Sequence, residues 1–158
     1  MSSAGCDTGP VIAALEQRHG PVSFRCGPLP FDFTEYYGPE MGPGLTKLYL
    51  VFEQGFDRTR LPAVKLATNA MEQERAVDGK RRVNIDPGYL ARDKLVLATT
   101  KDFSHRLYLG QGIFGEVTLH YSKGSFRDFP WTYADYRVSQ VQEMLAKARV
   151  ELVGRLRG

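Results

Sequence analysis

Apolar and polar residues alternate through the middle of the chain with the period of two that is typical of half-buried β-strands. This alternation predicts a strand at about 45–53 and three more at 94–100, 104–109 and 113–122. The last three strands are separated by the short connections KDF and GQG, whose lengths suit β-hairpins. We therefore predict an antiparallel meander at about 94–122.

Three other segments carry apolar residues at spacings of three and four, which places those residues on one face of a helix. These segments are 10–19, 60–76 and about 139–156. A brief strand at 22–26 and a loop rich in Gly and Pro lie between the first helix and the strand at 45–53. The whole pattern predicts an α+β fold, with a mainly antiparallel sheet covered by two or three helices that include a C-terminal helix.

The composition narrows the class of protein. The chain has 158 residues, which fits a single domain over 1–158, and its 42% hydrophobic and 25% charged residues are typical of a folded protein. No apolar run approaches the ~20 residues of a membrane helix, and the first ten residues lack the features of a signal peptide. We expect a cytoplasmic protein with no membrane partner, in which Cys6 and Cys26 are reduced.

The net charge of +3 permits an anionic partner without requiring one. A dedicated nucleic-acid binder usually carries a denser basic stripe than the run at Lys80–Arg82. If exposed, Tyr89, Tyr133 and Tyr136 would supply the stacking surfaces that RNA readers place beside basic residues. An RNA-binding module therefore stays open as an alternative, as does a protein-interaction module whose polar residues only stabilise turns.

Motifs for transition-metal chemistry are missing from the sequence. The histidines belong to no HExxH motif and there is no thiol cluster, so we expect no metal site. The three histidines are His19, His105 and His120. A magnesium site built only from the carboxylates of Asp32, Glu40 or Asp86 stays open as an alternative.

Motifs for nucleotide binding and for a serine nucleophile are missing as well. GQGIFG at 110–115 matches GxGxxG by letter, but it opens a strand rather than a helix and offers a phosphate no helix N-terminus. There is neither a P-loop nor a GxSxG motif. No motif identifies a cofactor, which leaves the cofactor unknown.

The predicted meander is unusually dense in polar residues. If 110–112 closes a hairpin, strand geometry sets the cross-strand partners. These are Leu109 with Ile113, Leu107 with Gly115, and Arg106 with Glu116. The Arg106–Glu116 pair is then explained as an ordinary cross-strand charge pair, and strand parity places His105 on the opposite face.

We predict a small-molecule site, with or without catalysis, that takes an anionic or nucleotide-like ligand. His105 is the candidate proton donor or acceptor, and Asp102 is the candidate residue that orients it. Basic side chains would hold anionic oxygens, and an aromatic residue (Tyr36, Tyr37 or Trp131) would stack on a ring. The ligand-binding candidates are Asp32, Lys65, Asn69, Asn84, Asp86, Thr99, Thr100, Lys101 and Arg106.

Five stretches of the sequence resemble a bacterial and archaeal family known as domain of unknown function 4416. They are PFDFTEYYGPEMGPGL at 30–45, KLATNAME at 65–72, RRVNIDPGYL at 81–90, KLVLATTKDFSHRLYLGQGIFGEVTL at 94–119 and PWTYADYR at 130–137. The resemblance covers about 10–150 and implies a single-domain cytoplasmic protein, without implying a reaction or substrate. Some members are labelled GTP-binding proteins, although this sequence has no motif that would bind GTP. Relatives usually begin with an apolar strand, which MSSAGCDTG does not supply.

Overall fold

The protein is α+β in a computed structural model that describes residues 1–156. It divides into two compact units. The first unit comprises Met1–Phe56 and Ala67–Ile85, and the second comprises Asp57–Leu66 and the chain from Asp86 onward. The prediction of one domain over 1–158 stays a prediction.

The first unit contains α1 (Gly9–His19), β1 (Val22–Pro30), α2 (Gly38–Met41), β2 (Thr46–Phe52) and most of α3 (Leu61–Glu74). The strands β1 and β2 pair antiparallel, so the strand predicted at 22–26 is longer than its alternation indicated. Val11, Leu15, Met71 and Val83 form a buried hydrophobic cluster in this unit. Ser2 forms bridges to both Thr46 and Val83, which ties the apolar-poor start of the chain to two other segments.

The second unit contains a five-stranded antiparallel sheet. Its strands are β3 (Gly88–Leu90), β4 (Lys94–Thr99), β5 (Leu107–Gly110), β6 (Ile113–Ser122) and β7 (Ser125–Asp128). Their order is β3-β4-β6-β5, and β7 also pairs with β6. The predicted meander is therefore wrong in its order, because β4 pairs with β6 and the KDF connection is not a hairpin.

Burial explains why β4 and not β5 lies inside the sheet. The four residues Leu95–Ala98 of β4 are all buried, so this strand is covered on both faces and is flanked by β3 and β6. In β5 the large side chains are exposed, which suits a strand at the edge of the sheet.

The GQG connection does form a hairpin between β5 and β6. Leu107 pairs with Gly115 and Tyr108 with Phe114, as the sequence predicts. Gly110, and not Leu109, lies opposite Ile113, because the ladder is irregular between Tyr108 and Gly110. Gly110 has φ +103°, a conformation that favours glycine and permits this irregularity.

The C-terminal helix, α4 (Ser139–Arg155), confirms the prediction for this part of the chain. Its buried residues Val141, Met144, Leu145 and Ala148 recur at the spacing of one helical face. Arg149 anchors the helix, since its guanidinium carbon lies 3.5 Å from the centre of the Tyr121 ring and its Nε donates to the carbonyl of Arg92. No helix within residues 1–156 has the length and apolar character of a membrane span.

Candidate functional site

The candidate site lies along one edge of β6, where two short strands leave its middle residues without a strand neighbour. β4 pairs along β6, while β5 and β7 pair only with its first and last residues. The interval between them is lined by a loop, because Trp131 Nε1 donates to the carbonyl of Val117 at 3.0 Å. The Thr132 hydroxyl similarly donates to the carbonyl of Thr118. These two bonds hold the loop against β6.

Glu116 is the centre of the site, and its side chain is only 1% exposed. Arg106 Nε donates to its Oε2 at 2.8 Å, and His105 Nε2 lies 3.2 Å from the same oxygen. The Thr118 hydroxyl lies 3.4 Å from Oε1. A buried carboxylate needs such compensation, because an unpaired one would lose its hydration without replacement.

Arg106 is itself held in place by two further acceptors. One Nη donates to the carbonyl of Lys101 at 3.0 Å, and the other donates to the Tyr133 hydroxyl at 2.9 Å. The guanidinium therefore connects the loop after β4, the core of β6 and the loop before α4. Its planar shape can satisfy all three acceptors at once.

The His105 ring is fixed by aromatic neighbours as well as by Glu116. It stacks on Trp131 with ring centres 4.9 Å apart and planes 10° apart, and Phe103 meets it edge-on at 5.3 Å. A carboxylate only accepts, so Nε2 carries the proton in the neutral ring and Nδ1 is an acceptor. Nδ1 has no hydrogen-bond partner among residues 1–156 and is not among the buried unpaired atoms, so it contacts solvent.

Exposed aromatic side chains contact the His105 ring or the neighbouring Arg106. Phe103 is 64% exposed, Tyr133 44% and Trp131 37%. Trp131 also stacks on Phe129 with planes 3° apart, which fixes the orientation of its indole. The surface beside His105 is therefore rigid, aromatic and accessible.

Negative charge surrounds the two phenols that follow Trp131. Burial is the main cause that raises the pKa of Tyr133 above its ordinary value, and the charge of Glu116 raises it further. Burial also raises the pKa of the fully buried Tyr136, followed by the charges of Asp135 and Asp86.

Lys65 supplies a second positive charge within this unit. Its side chain is 6% exposed, and its Nζ lies 3.5 Å from Asp86 Oδ1. The lysine is held at the start of α3, one turn after the fully buried Leu61. This pair therefore places a buried ammonium beside a partly exposed carboxylate.

A comparison with known families matches residues 7–151 to the family described as Domain of unknown function (DUF4416). The chain belongs to this family. No curated protein and no solved structure gives a significant match to it. The DUF4416 match covers both units and includes every residue of the site described above.

In this DUF4416 chain, three of the predicted site residues share one region. His105 and Arg106 bind the same Glu116 oxygen, and the Lys101 carbonyl binds Arg106. Asp86 and Lys65 belong to the same unit and bind each other.

Other predicted residues of the DUF4416 chain lie outside this cluster. Asp32, Asn69 and Asn84 belong to the first unit. Asn84 is buried there, and its side chain accepts from Arg81 at 3.0 Å. Thr99, Thr100 and Asp102 lie in or beside the loop after β4, where the Thr99 hydroxyl accepts from the backbone N–H of Lys101. Residues 1–156 contain no group of three His, Cys, Asp or Glu side chains suited to a metal ion.

One expectation about the site is corrected by the geometry, because His105 reaches Glu116 and does not lie on the opposite face. The reason is that β5 begins only at Leu107, so strand parity does not apply before it. Glu116 and Arg106 pair as predicted, and the carboxylate is buried. Asp102 is exposed and forms no hydrogen bond with His105 among residues 1–156, so its role in orienting the ring stays a prediction.

The support for an RNA-binding module is weaker in the structure than in the sequence. Tyr136 is buried, and Tyr89 faces the Arg58 guanidinium at 5.3 Å. In the basic run, Arg81 binds Glu40 and Glu72 and is neutralised by them. Of the expected stacking residues, Tyr133 is the exposed one, and it belongs to the Glu116 cluster.

Proposed function

We propose that the protein binds a small anionic, nucleotide-like ligand beside His105, and that His105 exchanges a proton with that ligand. The observation that carries this proposal is the His105 ring itself. Glu116 and Trp131 hold it rigidly, while Nδ1 faces solvent among exposed aromatic side chains. A histidine with both ring nitrogens bonded within the protein would leave no basic nitrogen for a ligand.

The proton transfer follows from the tautomer of the ring. Glu116 accepts a hydrogen bond from the Nε2–H group of His105. Nδ1 is therefore the nitrogen that takes a proton from an acidic group of the ligand. The imidazolium that forms is stabilised by the buried carboxylate at 3.2 Å. When the proton returns from Nδ1, the same contact restores the neutral tautomer.

Binding would use the groups that surround this nitrogen. The exposed rings of Phe103 and Tyr133 offer faces on which a heterocyclic base can stack. Lys101 lies on an exposed loop, where its carbonyl accepts a hydrogen bond from Arg106, and we assign its ammonium to a phosphate or carboxylate of the ligand. Arg106 and Lys65 contribute less to anion binding than the sequence suggests, because both are paired with carboxylates.

A thermal-shift and calorimetric screen with matched probes tests the proposal. AMP and GTP carry both a ring and an anion, adenosine carries only the ring, and ribose 5-phosphate carries only the anion. At equal concentration, we expect AMP or GTP to stabilise the protein more than either fragment. A probe present at 100 times its own dissociation constant stabilises the protein by about 2.7 kcal/mol. His105→Ala and Lys101→Ala should each weaken binding.

Two matched variants control for general effects of the substitutions. His19→Ala removes a histidine of the first unit, and Lys147→Ala removes an exposed lysine of α4. Neither control should change binding. The proposal fails if none of the four probes binds, or if binding is unchanged in both His105→Ala and Lys101→Ala while both remain folded.

A further inference from the structure

The edge strand β5 carries apolar surface that the ligand site does not use. Leu107 is 73% exposed, Tyr108 64% and Leu109 41%. Among the described strands, β5 pairs only with β6. The strand therefore presents backbone hydrogen-bonding groups and large apolar side chains to solvent together, which natural edge strands usually avoid.

These apolar side chains lie on both faces of the sheet edge. Leu109 covers Gly115, since a Cβ on that glycine would lie 2.8 Å from Leu109 Cδ1, and Leu107 pairs with the same glycine. Tyr108 lies on the opposite face, with its ring centre 5.4 Å from that of Phe114. A partner resting on one face would leave the other exposed, whereas a strand added beside β5 contacts both.

The charge pattern favours a second copy of this chain as that strand. LYLG at Leu107–Gly110 contains no charged residue and no proline, the two devices that commonly block edge pairing. Arg106, the nearest charge before the strand, is paired with the buried Glu116. Two copies of β5 can therefore approach without like charges facing each other.

We propose that β5 pairs antiparallel with β5 of a second copy, which forms a two-fold symmetric dimer. A two-fold axis near Tyr108 places Leu107 of each copy opposite Leu109 of the other copy. The exposed side chains of β5 offer less than about 500 Å² of apolar surface per copy. That is below the roughly 800 Å² per partner of a standard interface, so we expect micromolar or weaker dissociation.

Sedimentation velocity across the micromolar concentration range tests the dimer. Leu107→Lys should raise the dissociation constant at least tenfold, because it adds like charges at the edge without removing a buried group. Val150→Lys is the matched control, since Val150 is 68% exposed on α4 and lies away from β5 in sequence. This control should dimerise like the parent chain.

Hydrogen exchange identifies which surface the dimer uses. The amides of β5 should become protected as the concentration rises, and those of the exposed face of α4 should not. The proposal is overturned if the parent chain stays monomeric throughout, if Leu107→Lys dimerises normally, or if β5 gains no protection. Binding of some other protein by a monomeric parent chain would also overturn it.

Discussion

Arg81 in the first unit and Glu116 in the second unit each occupy the centre of a polar cluster, and the two clusters differ in the sign of that central charge. Arg81 binds Glu40 through Nε at 2.7 Å and through Nη2 at 2.8 Å. Its Nη1 donates to Glu72 at 2.8 Å and to Asn84. Each nitrogen of this guanidinium therefore has an acceptor within the same unit.

The Glu116 cluster has a buried anion at its centre, and exposed side chains lie at its edge. Arg106 and His105 bind one carboxylate oxygen, and the rings beside them are exposed. One nitrogen of His105 then faces solvent. A cation bound by two carboxylates has its polar groups satisfied internally and acts as a structural link, whereas the Glu116 cluster keeps one reactive atom accessible.

Arg81→Met should produce the largest loss of stability of any change in either cluster. Glu72, whose side chain is 3% exposed, would keep its charge and lose its ion pair with Arg81. Breaking such a buried pair typically costs about 3–5 kcal/mol, and urea unfolding measures this directly. Lys80→Met is the control, because Lys80 is exposed, and it should stay within about 0.5 kcal/mol of the parent. A loss below about 1 kcal/mol for Arg81→Met would contradict a structural role.

Glu116→Gln should cost less, about 1.5–3 kcal/mol, because the amide keeps the volume and some of the hydrogen bonds of the carboxylate. Arg106 would also retain the Lys101 carbonyl and the Tyr133 hydroxyl. The second expected effect is on the tautomer of neutral His105, since the proton on Nε2 is specified by the carboxylate. Nitrogen-15 chemical shifts of the ring report this change. The exposed Glu143→Gln on α4 is the control, and unchanged ring shifts in Glu116→Gln would count against the assigned contact.

Acid should weaken the Arg81 cluster through Glu40. The hydrogen bond from Arg81 is the main cause that holds the pKa of Glu40 below 4.5, with further help from its charge. A carboxyl group with a lowered folded-state pKa contributes stability above its unfolded-state pKa and loses it as the pH falls through the folded-state value. The free energy of unfolding should therefore decline as the pH falls below about 4.5, and Glu40→Gln should flatten this decline. A slope identical to that of the parent would show that Glu40 does not contribute to it.

The strands were predictable from the sequence, but their order was not. The alternation of apolar and polar residues is local, so it located β2, β4 and β6 to within a few residues. Pairing depends on which residues meet across the sheet. The unbroken apolar run Leu95–Ala98 is the signal that β4 is an interior strand, and it outweighs the short KDF connection.

The sequence pointed to His105 and to the Arg106–Glu116 pair, but not to the burial of Glu116. His105, Arg106 and their partner Glu116 are close in sequence, so hairpin geometry brings Arg106 to Glu116. The hydrogen bond between Arg106 and Tyr133 joins two residues that are 27 apart in the sequence. Sequence spacing does not reveal such a distant contact. The PWTYADYR motif was the one signal that could have pointed to it.

Tyr133→Phe should have the smallest effect on stability at neutral pH. It still tests the Glu116 cluster alone, because the phenol that it removes belongs to that cluster. It removes one acceptor of Arg106 at 2.9 Å on a side chain that is 44% exposed, so we expect a loss below about 1 kcal/mol at neutral pH. The pKa of Tyr133 is raised, chiefly by burial, so its neutral form contributes stability below pH 10 that is lost as the pH rises through the folded-state value. Tyrosinate absorbance should therefore lose one late-titrating group in Tyr133→Phe, and the alkaline loss of stability should become shallower.

Tyr108→Phe is the control, because it removes an exposed phenol outside the cluster. If it changes the stability at alkaline pH as much as Tyr133→Phe does, the phenol of Tyr133 is not specifically coupled to Glu116 and Arg106.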